Sequence, residues 1–150
     1  MGTRSTIALE FADGTVQQVY CHWDGYLDYN GRILQEHYTD PFKLRDLIDL
    51  GDMSSLGASL GEKHAFDERH DAQTLADTRC TFYARDRNES GCEARKFKDF
   101  ADYKANHQYE EYEYILRACG DRAVWFVKCH SEDWKTLEQA LAEEESGVIA

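Results

Sequence analysis

Hydrophobic and polar residues first alternate from Ser5 to Phe11, which sets Ile7, Leu9 and Phe11 on one side of a strand. Asp13-Gly14 then reads as a turn, and Thr15 to Trp23 as the returning strand. A three-residue turn with a bulge places Ile7 opposite Val19 and buries Val19, Cys21 and Trp23 together, with Tyr20 and His22 on the other side. A two-residue turn reverses those faces, so the orientation of this segment depends on one residue of register.

Helical spacing takes over from about Tyr29 to Tyr38, through Ile33, Leu34, His37 and Tyr38. Asp40 then reads as an N-cap, Pro41 as the first helical residue, Leu44, Leu47 and Ile48 as the apolar stripe, and Gly51 as the stop. These two helices are expected to form a hairpin over the sheet. Residues 51–78 show little periodicity and read as a long exposed connection. Cys80, Phe82 and Ala84 predict a third strand, and Asp86 to Gly91 a polar turn. Phe97, Phe100, Ala101 and Lys104 predict a short helix. Tyr109 to Ala118 and Arg122 to Cys129 predict a second hairpin around Cys119-Gly120-Asp121. Ser131 can cap a last helix with Trp134, Leu137 and Leu141 inward. Glu143, Glu144 and Glu145 oppose the helix dipole at its far end, so residues 146–150 are expected to be a flexible tail.

The pattern predicts one α+β domain over residues 1–150. It has an antiparallel sheet of about five strands, two hairpins plus one strand, and three to four helices mainly on one face.

Charge narrows the function classes. The chain carries 17 Lys and Arg against 29 Asp and Glu, a net charge of −12. Residues 79–98 alone are basic, with six cations against three carboxylates. Such a field repels nucleic acid and attracts cationic proteins, so direct DNA or RNA binding is disfavoured. No apolar run approaches the ~18 residues of a membrane span, and a cytoplasmic location without membrane association is expected. The five cysteines lack the regular spacing of a disulfide framework and read as reduced thiols.

Several constellations invite chemistry. Cys21-His22 and Cys129-His130 pair metal-binding residue types, but strand neighbours face opposite ways and no second ligand pair is fixed by spacing. His64, Asp67, His70 and Asp71 can be drawn as a hydrolytic metal cluster, or as solvated loop. Cys21 with His22 or His37 and Asp24 or Asp28 can be drawn as a thiol nucleophile, or as a buried cysteine. Gly57 to His64 departs from a phosphate-binding loop at Glu62 and His64. No cofactor, metal or catalytic residue is therefore assigned. A small hydrolase or metal protein built on Cys21–Asp28 or His64–Asp71 remains the alternative from the enzyme class.

The carboxylates form the more extended signal. Glu110, Glu111 and Glu113, with Tyr112 and Tyr114 between them, read as an acidic, aromatic strand face, Glu111 and Glu113 being about 6.7 Å apart. Asp24, Asp28, Glu36, Asp40, Asp46 and Asp49 recur through the first helical hairpin. A chain of this size is roughly 40 Å wide, and ~40 Å of duplex carries about 23 phosphates. Half of that charge is present here, so DNA mimicry requires the carboxylates to gather on one side. The other reading is a partner-binding module whose acidity serves solubility only.

Thr3-Arg4-Ser5-Thr6-Ile7-Ala8, Val19-Tyr20-Cys21-His22-Trp23-Asp24-Gly25-Tyr26, Leu34-Gln35-Glu36-His37-Tyr38 and Leu50-Gly51-Asp52-Met53-Ser54-Ser55-Leu56-Gly57 resemble a group of small phage and prophage proteins, as does Tyr83-Ala84-Arg85-Asp86-Arg87. The likeness covers roughly the first 60 residues well and carries no mechanism of its own. At the level of class, small acidic phage proteins include DNA mimics that inhibit gyrase, restriction enzymes or CRISPR nucleases. The resemblance thus implies, at the level of class, a non-enzymatic inhibitor of a host DNA-handling enzyme and carries over no residue; the expected contact surface, Glu110, Glu111, Glu113, Tyr112, Tyr114 and the helical carboxylates, rests on the acidic and aromatic pattern. A homodimer is a further open arrangement.

Overall fold

The computed structural model describes residues 3–66, 74, 77–130 and 132–146. The first hairpin joins β1 (Ser5–Glu10) to β2 (Val16–Cys21) and sets Ile7 opposite Val19, the bulged register of the two considered above. Val19 and Cys21 therefore face the core, and Tyr20 points away from it. Trp23 lies beyond the strand end and is exposed.

A wide π-helical turn, Leu27–Gly31, runs directly into α1 (Arg32–His37). The next helix, α2 (Pro41–Asp49), starts as its sequence dictates: the Asp40 carboxylate accepts the Phe42 amide at 2.9 Å, and Pro41 occupies the first turn, where a missing N–H costs nothing. Then come β3 (Met53–Ser55), β4 (Thr81–Phe82), α3 (Tyr83–Arg87), β5 (Arg95–Phe97) and α4 (Phe100–Asn106). The chain closes with β6 (Tyr112–Cys119), β7 (Arg122–Cys129), β8 (Lys135–Thr136) and α5 (Leu137–Ser146).

Among the described residues the sheet has eight strands and is mixed, in the order β4-β3-β2-β1-β6-β7-β8. The expected five-stranded antiparallel sheet is too small and too uniform. β1 pairs parallel with β6, because the chain leaves through the helices and returns on the far side of β1. The outer edge of β2 is shared: Cys21 pairs parallel with Met53 of β3, and Val16 to Gln18 pair antiparallel with β5. The third predicted strand is only Thr81–Phe82, and Tyr83 to Arg87 coil into α3. Ser131 and residues 147–150 lie outside the described residues.

Both faces of the sheet are covered. Ile7, Val19, Cys21, Tyr114, Leu116, Trp125 and Val127 meet Ile33, Leu34, Leu44, Leu47, Ile48, Leu137 and Ala140 in the larger core, beneath α1, α2 and α5. Ala8, Val16, Ile115, Phe97 and Tyr103 form a smaller core beneath α4 on the opposite face. The Trp125 indole N–H donates to the Tyr38 carbonyl at 3.0 Å, and the Tyr38 hydroxyl donates to the Gly57 carbonyl at 2.7 Å. The end of α1 is thereby tied both to β7 and to the connection after β3.

Arg85 and Asp86 hold the edge of the fold. The Asp86 carboxylate accepts from Arg85 Nε at 3.0 Å, the Phe82 amide at 2.8 Å and the His64 amide at 3.1 Å. Arg85 also donates to the carbonyls of Leu60, Gly61 and Cys80. Burial pushes the Asp86 carboxyl up, but the bonds from Arg85 and from the two amides outweigh it and hold the group below its ordinary value. A lowered folded-state pKa contributes stability that is present above the ordinary carboxylate range and is lost as pH falls through the lowered value. Urea midpoints measured from pH 7 to pH 3 should therefore fall more steeply below about pH 4 for the native chain than for Asp86→Asn. Parallel curves would contradict this role.

Candidate partner-binding surfaces

The segment Tyr20 to Tyr26 divides into an anchored inside and a displayed outside. Inside, the Cys21 thiol lies between the Trp23 carbonyl at 3.6 Å and Asn30 Nδ2 at 3.4 Å. The same Asn30 amide donates to the Trp23 carbonyl at 3.2 Å and to Ser5 Oγ at 3.3 Å. The Gly25 amide donates to the Thr3 carbonyl at 2.7 Å, and the buried Tyr114 hydroxyl donates to the Gly25 carbonyl at 2.7 Å. Only glycine fits there, since a Cβ would stand 2.7 Å from Ser5 Cβ and 2.8 Å from the Thr3 oxygen. Asp24 is held at φ 59°, a left-handed conformation that this anchoring maintains.

Outside, Tyr20 Oη and His22 Nδ1 are 2.8 Å apart, and the His22 ring meets the Trp23 ring edge-on at 4.8 Å. Trp23 is 43% and Tyr26 39% exposed. Tyr26 stands beside Tyr29 at 6.2 Å between centroids, with Asp24 and Asp28 close enough to raise its pKa after the larger effect of partial burial. The result is a rigidly mounted aromatic platform with carboxylates at its border, the composition of a protein-contact surface.

The acidic surface is built differently from the expected strand face. Glu113 is buried and bound to His107, while Tyr114 is wholly buried on the other side of β6, so neither belongs to a contact surface. Glu111 is exposed next to the Arg4 amide, and Tyr112 is half-buried against His130. Glu110 accepts from Gln108 at 2.9 Å. The Glu110–Glu113 row is therefore broken: Glu110 and Glu111 precede β6, Glu113 is buried against His107 on the face that α4 covers, and the pleat sends Tyr114 into the core on the other face.

Nine carboxylates share one helical layer. Asp28, Glu36, Asp40, Asp46, Asp49, Glu138, Glu143, Glu144 and Glu145 all lie on or beside the helices of a single sheet face. Asp28, Glu36, Asp46, Asp49, Glu138 and Glu145 are exposed. Arg32 links two of the helices, 2.8 Å from Asp28 and 3.0 Å from Glu145, and Lys43 is turned onto the carbonyls of His37 and Ala58. The central basic segment is partly neutralised. Arg85 is bound to Asp86, Arg87 to Glu89 and Arg95 to Asp52, so three of its charges are balanced locally.

Among the described residues the Cys21 alternative gains no geometry. Burial drives the Cys21 thiol up to about 12, far from the reactive thiolate, and its close polar neighbours are an amide and a carbonyl rather than a base. His64 has Nδ1 2.9 Å from the Glu62 carbonyl and Nε2 3.1 Å from Thr81 Oγ1, and so serves to fix its own loop. Asp67, His70 and Asp71 lie outside the described residues. Among the described residues no group of three His, Cys, Asp or Glu side chains is arranged to hold a metal ion, and no helix is long and apolar enough to cross a membrane.

The feature that sequence reading missed is the pair His107 and Glu113. His107 follows directly on α4, its Nδ1 lies 2.7 Å from the Tyr103 carbonyl, and its Nε2 is in contact with a carboxylate oxygen of buried Glu113. The His107 ring is also stacked against Tyr103 at 4.6 Å. This is a buried, hydrogen-bonded lock between α4 and β6. Glu113 at the second position of a strand otherwise rich in Tyr and Ile was its one sequence signal.

No protein-family model, no curated protein and no solved structure matches the chain.

Proposed function

We propose that the protein is a non-enzymatic, acidic binding protein that sets its helical layer into the basic nucleic-acid site of a DNA-handling enzyme and blocks it. The gathering of nine carboxylates on the helices of one sheet face carries this reading. Three helices side by side at the usual 8–10 Å spacing are about 25–30 Å across, a length of duplex carrying ~15 to 18 phosphates. Nine carboxylates, offset by Arg32, Lys43 and Arg45 on the same helices and by Lys135 against Glu143, leave about −5, roughly a third of that charge. Phe42, 67% exposed at the start of α2 next to the capping Asp40 and with the Arg45 guanidinium 5.3 Å from its ring centre, offers an apolar anchor at this surface. The resemblance of the N-terminal part to small phage proteins points to a bacterial host enzyme such as gyrase, a restriction enzyme or a CRISPR nuclease.

The test is capture of partners from a bacterial lysate, followed by titration of the purified partner. A variant carrying Asp28→Asn, Glu36→Gln, Asp46→Asn and Asp49→Asn should bind at least about tenfold more weakly at low salt, with a shallower salt dependence. These side chains are exposed, so the fold should be retained. Duplex DNA should compete with the native chain. Unchanged affinity of the variant would refute the helical layer as the contact.

A second reading rests on the Trp23 and Tyr26 platform: an interaction module whose acidity provides only solubility. It predicts a partner contact that is insensitive to salt and lost in Trp23→Ala.

A further inference from the structure

The sheet face away from the acidic helices carries a cleft of different chemistry. Its floor is Ile115 and Phe126, directly paired across β6 and β7, and its walls are Phe100 of α4 and Trp134 ahead of β8. The volume is about 190 Å³. At its rim stand two cations, Lys104 and Arg117, in a protein of net charge −12. Their placement is tied to the aromatic wall: the Arg117 guanidinium lies 3.6 Å and the Lys104 ammonium 4.9 Å from the Phe100 ring centre. Arg117 also binds Glu10 at 3.1 Å, which orients it and balances its charge. Lys104 is exposed, and it extends to the rim from one turn beyond Phe100 on α4.

The walls are braced from behind. Tyr103, wholly buried, stacks on Phe100 at 5.9 Å and leans on Trp134 at 6.3 Å, and the His107–Glu113 lock fixes the end of the helix that carries both Phe100 and Tyr103. A preformed apolar slot of this kind loses little entropy on filling. Its size is below the ~300–1,000 Å³ of sites for drug-sized ligands, so it suits one ring system. The Arg117 guanidinium covers the Phe100 face, so a planar ring is selected by stacking on Trp134, and the cation-bearing rim selects an anionic substituent on it.

We infer that this cleft is a binding site for a small planar aromatic anion, stacked on Trp134 over the Ile115 and Phe126 floor with its charge at Lys104. The inference is independent of the acidic surface and of any partner bound there. Two sources share this chemistry, a nucleoside monophosphate and an aromatic carboxylate, and the test separates them.

Titrations of the intact protein with adenosine monophosphate and with indole-3-acetate, each against its uncharged counterpart adenosine or indole, should be followed by the Trp134 indole N–H resonance. One of the two anions should shift that resonance saturably, with a dissociation constant of about 0.01–1 mM, and identify the source. Lys104→Gln, at an exposed position, should weaken that anion about tenfold and leave the uncharged counterpart unchanged. Trp134→Leu should abolish binding of both, read from the resonances of Ile115 and Phe126. The inference is overturned if neither anion moves the Trp134 signal by ~5 mM. Equal binding of charged and uncharged ligands, or indifference to Lys104→Gln, overturns it as well.

Discussion

His107→Ala should lower folding stability by about 3–5 kcal/mol, combining the cavity left by a buried ring with the cost of leaving a buried carboxyl without its hydrogen-bond partner. Glu113 is 1% exposed and has the His107 ring against its carboxylate, so loss of the ring strands a polar group in the smaller core. The Tyr103 carbonyl loses its 2.7 Å partner at the same time, and α4 loses its fastening to β6. Urea unfolding of His107→Ala beside the double variant His107→Phe, Glu113→Leu separates the pair from its surroundings. The double variant removes both polar partners and fills the space, so it should recover most of the loss. A single-variant loss under about 1 kcal/mol would mean that water reaches Glu113 and that the lock is not buried in solution.

Gly25→Ala should be the second most damaging change, costing about 2–3 kcal/mol. The added methyl meets Ser5 Cβ at 2.7 Å and the Thr3 oxygen at 2.8 Å, and neither is the end of a flexible side chain. Relief requires the 23–25 loop to move away from β1, against the Tyr114 hydroxyl bond to the Gly25 carbonyl and the Asn30 bonds to Trp23 and Ser5. The urea midpoint should fall, and the near-ultraviolet circular dichroism of Trp23 and its neighbours should change with it. A native midpoint and spectrum would show that the loop is loosely mounted, and the aromatic platform would lose its claim to being pre-arranged.

The two hairpins and α2 were legible because each satisfies several local rules at once. Asp40-Pro41 with the stripe Leu44, Leu47 and Ile48 admits one reading, and Arg122–Cys129 was bounded correctly by its alternation and turn. Strands β3, β5 and β8, of two or three residues, are too short to show a period, and their pairing is dictated by the free edges of β2 and β7. The parallel pairing of β1 with β6 joins segments about a hundred residues apart, which no local pattern encodes. The same limit explains the contact surface. Helical carboxylates such as Asp46 and Asp49 could be placed because a helix exposes whatever opposes its stripe. Glu113 could not, because a strand with aromatic residues on one face and a mixed set on the other gives no sign that the mixed face is also covered. His107 mattered only once α4 was seen to lie on that face.

The central claim is that the acidic helices of one sheet face are the surface that meets the partner. Hydrogen exchange of the protein alone and in complex with its captured partner tests it most directly. Slower exchange over residues 28–37, 41–49 and 138–146, reversed when duplex DNA displaces the protein, is the predicted result. Protection confined to α4, β6 and β7, or a complex that duplex DNA does not disturb, would contradict it.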